Sequence, residues 1–149
     1  MLIVSKATFY RYFHDKFELM CWFYEDFVHK TFDDLYSEKS WYETQYTYAE
    51  FYLHNKDYFL NIYNYEGQNS FDHFLYSYCL TFFKNIVQTK NGPDALSKEL
   101  IFAMKMYCYG NSFIVRDWLM GEIPLTIEEF CTYRYNTMPQ IMKDILDGN

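Results

Sequence analysis

Apolar and polar positions follow the period of a helix along most of the chain. Phe17, Met20, Tyr24, Phe27, Val28, Thr31 and Leu35 recur every three or four residues, and Glu25, Asp26, His29, Lys30, Asp33 and Asp34 fall on the opposite side. Side chains spaced in this way share one face of an α-helix, so the pattern predicts a long amphipathic helix over about 15–37. Asp15 followed by Glu18 has the spacing of a capping box, in which each side chain serves an orphan backbone donor. Tyr42 to Tyr63 keeps the same period, but His54-Asn55-Lys56-Asp57 interrupts it, so this stretch is one helix or two. Phe71, Phe74, Leu75, Tyr78, Phe82, Ile86 and Val87 predict a further helix with Ser70 as its N-cap. Leu96 to Met120 carries a stripe through Leu100, Met104, Tyr107, Cys108, Ile114, Val115 and Trp118. A last helix is predicted from Thr126, with Glu129 three residues on, toward Leu146. Pro139 places a kink or break near Asn136-Thr137-Met138.

The breaks between these segments are the three places where turn residues gather: Asn64 to Ser70, Asn91-Gly92-Pro93, and Gly121-Glu122-Ile123-Pro124. No segment shows bounded period-two alternation, and the expected fold is all-α.

Composition narrows the function classes. The 149 residues suit one domain, with or without a small appendage. They include 17 Tyr, 15 Phe and 3 Trp, which excludes a low-complexity or disordered chain. A net charge of −7 argues against a general nucleic-acid coat or a polybasic membrane binder. No apolar run reaches the roughly 18 residues of a membrane span, and Met1-Leu2-Ile3-Val4 is too short for a signal segment; the expectation is a soluble, cytoplasmic protein. Cys21, Cys79, Cys108 and Cys131 form no close pair, and His14, His29, His54 and His73 are as scattered, so no metal, cofactor or disulfide framework is assigned. There is no Gly-rich phosphate loop. Glu128-Glu129 are neighbours on a helix and point in different directions, so no catalytic residues are assigned and the chain is not expected to be an enzyme.

The first twenty residues differ from the rest. Ser5 is a good N-cap for a short helix over about 6–13. Phe9 and Phe13, four apart, share an inward face, whereas Lys6 and Tyr10, and Thr8 and Tyr12, share outward ones. Over residues 1–16, Lys6, Arg11 and Lys16 stand against Asp15 alone, giving a small basic tip on an acidic body. Hydroxyls and cations around a free helix N-terminus suit a phosphate.

Val-Ser-x-x-Thr-Phe-Tyr-x-Tyr-Phe-x-x-Lys-x-x-Leu, read from Val4 to Leu19, resembles the recognition helix and following linker helix of TetR-family transcriptional regulators. Gly110 to Gly121, with Trp118-Leu119 inside it and Thr126-Ile127-Glu128-Glu129 after it, is similar to the Gly…Trp-Leu…Gly segment and following helix start in the C-terminal domain of that bacterial family. The resemblance implies a partial helix-turn-helix over 1–16 and a helical bundle for ligand binding and dimerisation over 17–149. It places Ser5, Thr8, Tyr10, Tyr12 and Lys16 at or near the DNA backbone, and Lys6 and Ala7 in the major groove, where the Ala7 methyl suits a thymine. Two helices normally precede this point in the family; here the first and nearly all of the second are absent, and Ile3 stands where a turn glycine is usual. The chain is therefore expected to be a truncated version of a longer protein.

Two functions are expected from these residues. One is a dimeric, effector-responsive DNA-binding transcriptional regulator that pairs through its last two helices and binds a double-stranded operator. The other is a helical small-molecule-binding or protein-interaction dimer without DNA-binding activity. Phe51, Tyr58, Tyr76, Phe82, Met106 and Phe113 are candidate lining residues for a small apolar or aromatic effector, although aromatics at helical spacing are more often plain core. Gly110, Ile114, Trp118, Ile141, Met142 and Ile145 are the candidate dimer face.

Overall fold

The computed structural model describes residues 5–35, 40–65 and 70–148, with the side chains of 31–35 excluded. Val4, the Thr31, Asp33, Asp34 and Leu35 side chains, the expected end of the long helix at 37, and Glu66 to Asn69 therefore lie outside the described residues. The chain forms α1 (Lys6–Tyr12), α2 (Lys16–Leu35), α3 (Trp41–His54), α4 (Lys56–Tyr63), α5 (Phe71–Asn91), a single 3-10 turn (Pro93–Ala95), α6 (Lys98–Met120), α7 (Ile127–Thr137) and α8 (Gln140–Leu146). No strand occurs among the described residues. The fold is all-α, as the periodicity predicts.

Hydroxyl caps set most of the helix starts. The Ser5, Ser40, Ser70, Ser97 and Thr126 side chains each accept from the backbone three residues on, satisfying one of the donors that a first turn leaves unpaired. Ser40 with Glu43 and Thr126 with Glu129 close full capping boxes. At α2 the expected box closes one residue early. Glu18 N–H donates to Asp15 Oδ1 at 2.8 Å, but the Glu18 carboxylate reaches back to the His14 N–H. Helix α6 starts at Lys98 rather than near Leu96, because Ser97 supplies the cap.

The stops are as local. Asn55 turns its amide back onto the Phe51 carbonyl at 2.9 Å, and this divides Tyr42–Tyr63 into α3 and α4. Gly121, at φ +80°, ends α6 in a Schellman-type turn: its N–H donates to the Trp118 carbonyl and that of Glu122 to the Asp117 carbonyl. Pro139 forces Met138 to an extended backbone and separates α7 from α8 at the expected place.

Two cores share α6. The larger gathers aromatic rings of α2, α3, α4 and the start of α5 with Val115, Trp118 and Leu119 of α6 and Phe130 of α7. Phe59 is fully buried at its centre, with Phe51, Tyr52, Tyr58 and Phe71 rings 4.8–5.9 Å away. The smaller packs Tyr76, Phe83 and Val87 of α5 against Leu100, Met104 and Cys108 of α6 and Met142 and Leu146 of α8.

Phe59→Ala is expected to lower the unfolding free energy by about 3–5 kcal/mol, and Thr126→Ala by about 1 kcal/mol, in urea denaturation followed by helical circular dichroism. A Phe59 cost no larger than that of Thr126 would contradict the placement of this ring.

Candidate functional site

The N-terminal helix is anchored on one side only. Phe13 packs against Phe9 at 5.8 Å and against Trp22 of α2 at 5.9 Å. None of the α1 residues is buried. Ser5, Lys6, Ala7, Thr8, Tyr10, Tyr12 and Lys16 all face solvent, with Tyr10 and Tyr12 60% and 68% exposed. Ser5 Oγ accepts from Thr8 N–H at 3.2 Å and meets Thr8 Oγ1 at 2.9 Å, which holds the hydroxyl face at the helix start.

The second feature is a cavity of about 50 Å³ between α2, α3, α5, α6 and α7. Tyr24, Tyr48, Tyr52, Tyr78 and Tyr107 line it with Gln45, Asn111 and Arg134. Arg134 is the one charged side chain among the lining residues. Its Nε and Nη2 donate to Asn111 Oδ1 at 2.9 and 2.6 Å, and its guanidinium lies 5.0 Å from the centre of the Phe130 ring. Arg134 Nη1, the Tyr107 hydroxyl and both amide atoms of Gln45 are sealed from solvent without hydrogen-bond partners. The Tyr107 hydroxyl lies beside the guanidinium, short of a formed hydrogen bond. Burial pushes the Tyr52 and Tyr107 hydroxyls up to about 12, and Tyr24 and Tyr48 well above their ordinary value, so near neutral pH the cavity wall carries neutral phenols and one fixed cation.

The third feature is on the outside of α6. Phe102, Met106, Tyr109 and Phe113 follow the helical period along one face, and their exposures run from 67% at Phe102 to 45% at Phe113. Beside this stripe, Gly110 and Ile114 of α6 and Tyr133, Thr137 and Pro139 at the α7 end border an apolar groove of about 540 Å³. Tyr107, Asn111 and Arg134 line both groove and cavity.

The residues expected around an effector do not converge. Phe82 alone of the six lines the cavity, and Met106 lines the groove. Phe51 is buried in the larger core with its ring 3.4 Å from that of Phe27, and the Tyr58 hydroxyl donates to the Met20 carbonyl. Tyr76 stacks on Tyr109 at 3.9 Å, and Phe113 lies under the Arg116 guanidinium. Among the residues expected on a dimer face, Gly110 and Ile114 border the groove, and Ile141 and Ile145 are half-buried. Trp118 and Met142 belong to the chain's own core: Trp118 stacks on Phe130 at 3.9 Å and donates from Nε1 to the Leu125 carbonyl, and Met142 is 2% exposed.

A family model described as "Transcriptional regulator C-terminal region" matches residues 39–140, well over half of the chain. The chain belongs to the TetR family of transcriptional regulators. No curated protein and no solved structure matches it. The matched region contains the cavity's polar residues and the exposed α6 stripe of this TetR-family chain, whereas α1 precedes it. No helix among the described residues is long and apolar enough to cross a membrane.

Sequence reasoning missed Gln45, Tyr107, Asn111 and Arg134 as a group. A signal was present: Gln45 and Asn111 interrupt otherwise apolar buried faces, and Arg134 has no acid three or four residues away on its own helix.

The buried phenols imply an alkaline transition. A phenol held at about 12 in the folded chain, against 10 when unfolded, adds stability that is complete below pH 10 and is lost as pH rises toward 12. Tyr52 and Tyr107 are each expected to withdraw about 2–3 kcal/mol over that window. Their tyrosinate absorbance should appear together with loss of helical circular dichroism, and ionisation at pH 10 in an intact fold would contradict their burial.

Proposed function

We propose that this TetR-family chain acts as a dimeric, effector-responsive regulator of transcription that contacts double-stranded DNA through α1. The observation that carries the reading is the outward display on α1. Ser5, Lys6, Ala7, Thr8, Tyr10, Tyr12 and Lys16 all face solvent, while Phe13 packs on Trp22 of α2 and Phe9 packs on Phe13. Three cations near one end of an acidic chain direct that end to phosphate. Lys6 and Ala7 project where a recognition helix meets base edges, and the hydroxyls of Ser5, Thr8, Tyr10 and Tyr12 with Lys16 meet the backbone.

Self-association is supported by the outer face of α6. Phe102, Met106, Tyr109 and Phe113, continued by the groove at Gly110, Ile114 and Tyr133, line up exposed apolar side chains along one face, the kind of surface that marks association sites. The occupant we assign to it is the same face of a second copy, related by two-fold symmetry. The cavity supports the effector-responsive part, since it joins α2, which follows α1, to the helices that carry this face.

A second reading, a small-molecule-binding dimer without DNA-binding activity, draws on the lack of any buried residue in α1. The two separate in a gel shift of the full-length gene product on its own upstream DNA. The first reading expects salt-sensitive binding, and Lys16→Ala is expected to reduce the slope of log affinity against log salt by about 1. Absent or salt-insensitive binding would leave the second reading standing.

For the subunit face, sedimentation is expected to show a dimer. Met106→Glu combined with Tyr109→Glu should raise its dissociation constant roughly tenfold or more without changing helical content. A dimer indifferent to both charges would place the contact elsewhere.

A further inference from the structure

We propose that the cavity is a binding site for a short-chain carboxylate of about two or three carbons, taken at its charged end by Arg134 Nη1, the Tyr107 hydroxyl and the Gln45 amide. The inference deepens the effector-responsive part of the proposed function and rests on it, by naming the chemical class the cavity accepts.

A guanidinium remains protonated at any physiological pH, and no carboxylate among the described residues lies within ion-pair distance of Arg134. Arg116, by contrast, is paired with Asp72 at 3.0 Å and Asp117 at 3.4 Å. The partners of Arg134 are an amide oxygen and an aromatic face, which are dipoles and carry no charge. Arg134 is half-buried, and its Nη1 is sealed from solvent with no anion beside it, an arrangement that favours an anionic hydrogen-bond acceptor. A carboxylate entering the cavity supplies the missing charge.

The unsatisfied atoms of the cavity lining match the two ends of such a ligand. Arg134 Nη1 and the protonated Tyr107 hydroxyl are donors, and a carboxylate accepts from both. Gln45, only 1% exposed, adds an amide donor and leaves its carbonyl for a hydroxyl or amine further along the ligand. Carbon atoms of the ligand would meet Val28, Leu75 and Phe83, apolar members of the lining.

Volume sets the length. A cavity of about 50 Å³ has room for a few waters or a chain of a few carbons. A benzene ring needs a cavity nearer 150 Å³, so simple arenes and acids of comparable size, such as butyrate, are excluded. Trapped water is the competing occupant: it can satisfy the Gln45 and Tyr107 dipoles but leaves the guanidinium without a counter-charge.

The test uses the chain as it is, by titration calorimetry and thermal denaturation with sodium propionate and with propionamide, its neutral isostere. Propionate is expected to bind one per chain and raise the melting temperature, with propionamide at least tenfold weaker. Tyr107→Phe should weaken propionate by roughly tenfold, the loss of one hydrogen bond to a charged group, and Arg134→Met should abolish binding. If Arg134→Met fails to fold, the propionate–propionamide comparison on the unaltered chain still decides. Equal binding of acid and amide, or no binding of either, would overturn the proposal and leave a water-filled cavity. A gel shift of the gene product with and without propionate separates the two levels of the argument. Loss of DNA binding altogether, with propionate still bound, removes the DNA reading and leaves the site. DNA binding without any propionate affinity does the reverse.

Discussion

Helix α6 has to complete two dry cores along one face while its other face stays in water. Leu100, Met104 and Cys108 fill the α5–α8 side, and Val115, Trp118 and Leu119 fill the aromatic cluster of α2, α3 and α4. Between them the buried face carries Asn111 and Ser112. Ser112 satisfies itself on the Cys108 and Tyr109 carbonyls, but Asn111 points its oxygen at Arg134. The seam where the two cores meet is therefore polar, and the cavity lies there because neither core closes over it.

The heavy aromatic content follows from the same constraint. Rings bury much apolar surface for few rotatable bonds, so helices as short as α4 still contribute firmly: Phe59 and Ile62 are buried in the larger core, and Tyr58, Leu60 and Tyr63 pack against it. Choosing Tyr over Phe at Tyr24, Tyr48 and Tyr52 adds hydroxyls that need partners. Tyr24 and Tyr52 meet each other at 3.2 Å. The phenols thus turn what would be an oily interior into one able to surround a polar guest.

Helix positions were legible in the sequence wherever local chemistry decided them. The caps at Ser5, Ser70 and Thr126, the stop at Gly121 and the break before Pro139 each depend on a few neighbouring residues. The cavity was not legible, because Gln45, Tyr107, Asn111 and Arg134 lie on three helices and no local pattern joins them. Aromatics selected one by one, such as Phe51 and Tyr58, went to plain core. Periodicity also leaves open which of two apolar stripes on α6 turns inward. Ile114 and Trp118 stand among the candidate dimer-face residues, yet Phe130 claims the Trp118 ring, and Phe102, Met106, Tyr109 and Phe113 are the ones left outside.

Tyr107, Asn111 and Arg134 line both the interior cavity and the groove beside the exposed stripe. Through Asn111, the guanidinium ties α7 to α6 by two hydrogen bonds. An anion drawn to Nη1 acts on that same group, so its pull is applied where α6 and α7 present their outer surfaces. A ligand alters an assembly only to the extent that it interacts differently with its alternative arrangements. Under the proposed assembly, a charge shared between the cavity wall and the proposed subunit face would meet that requirement directly, because moving one helix relative to the other changes both the anion's contacts and the groove.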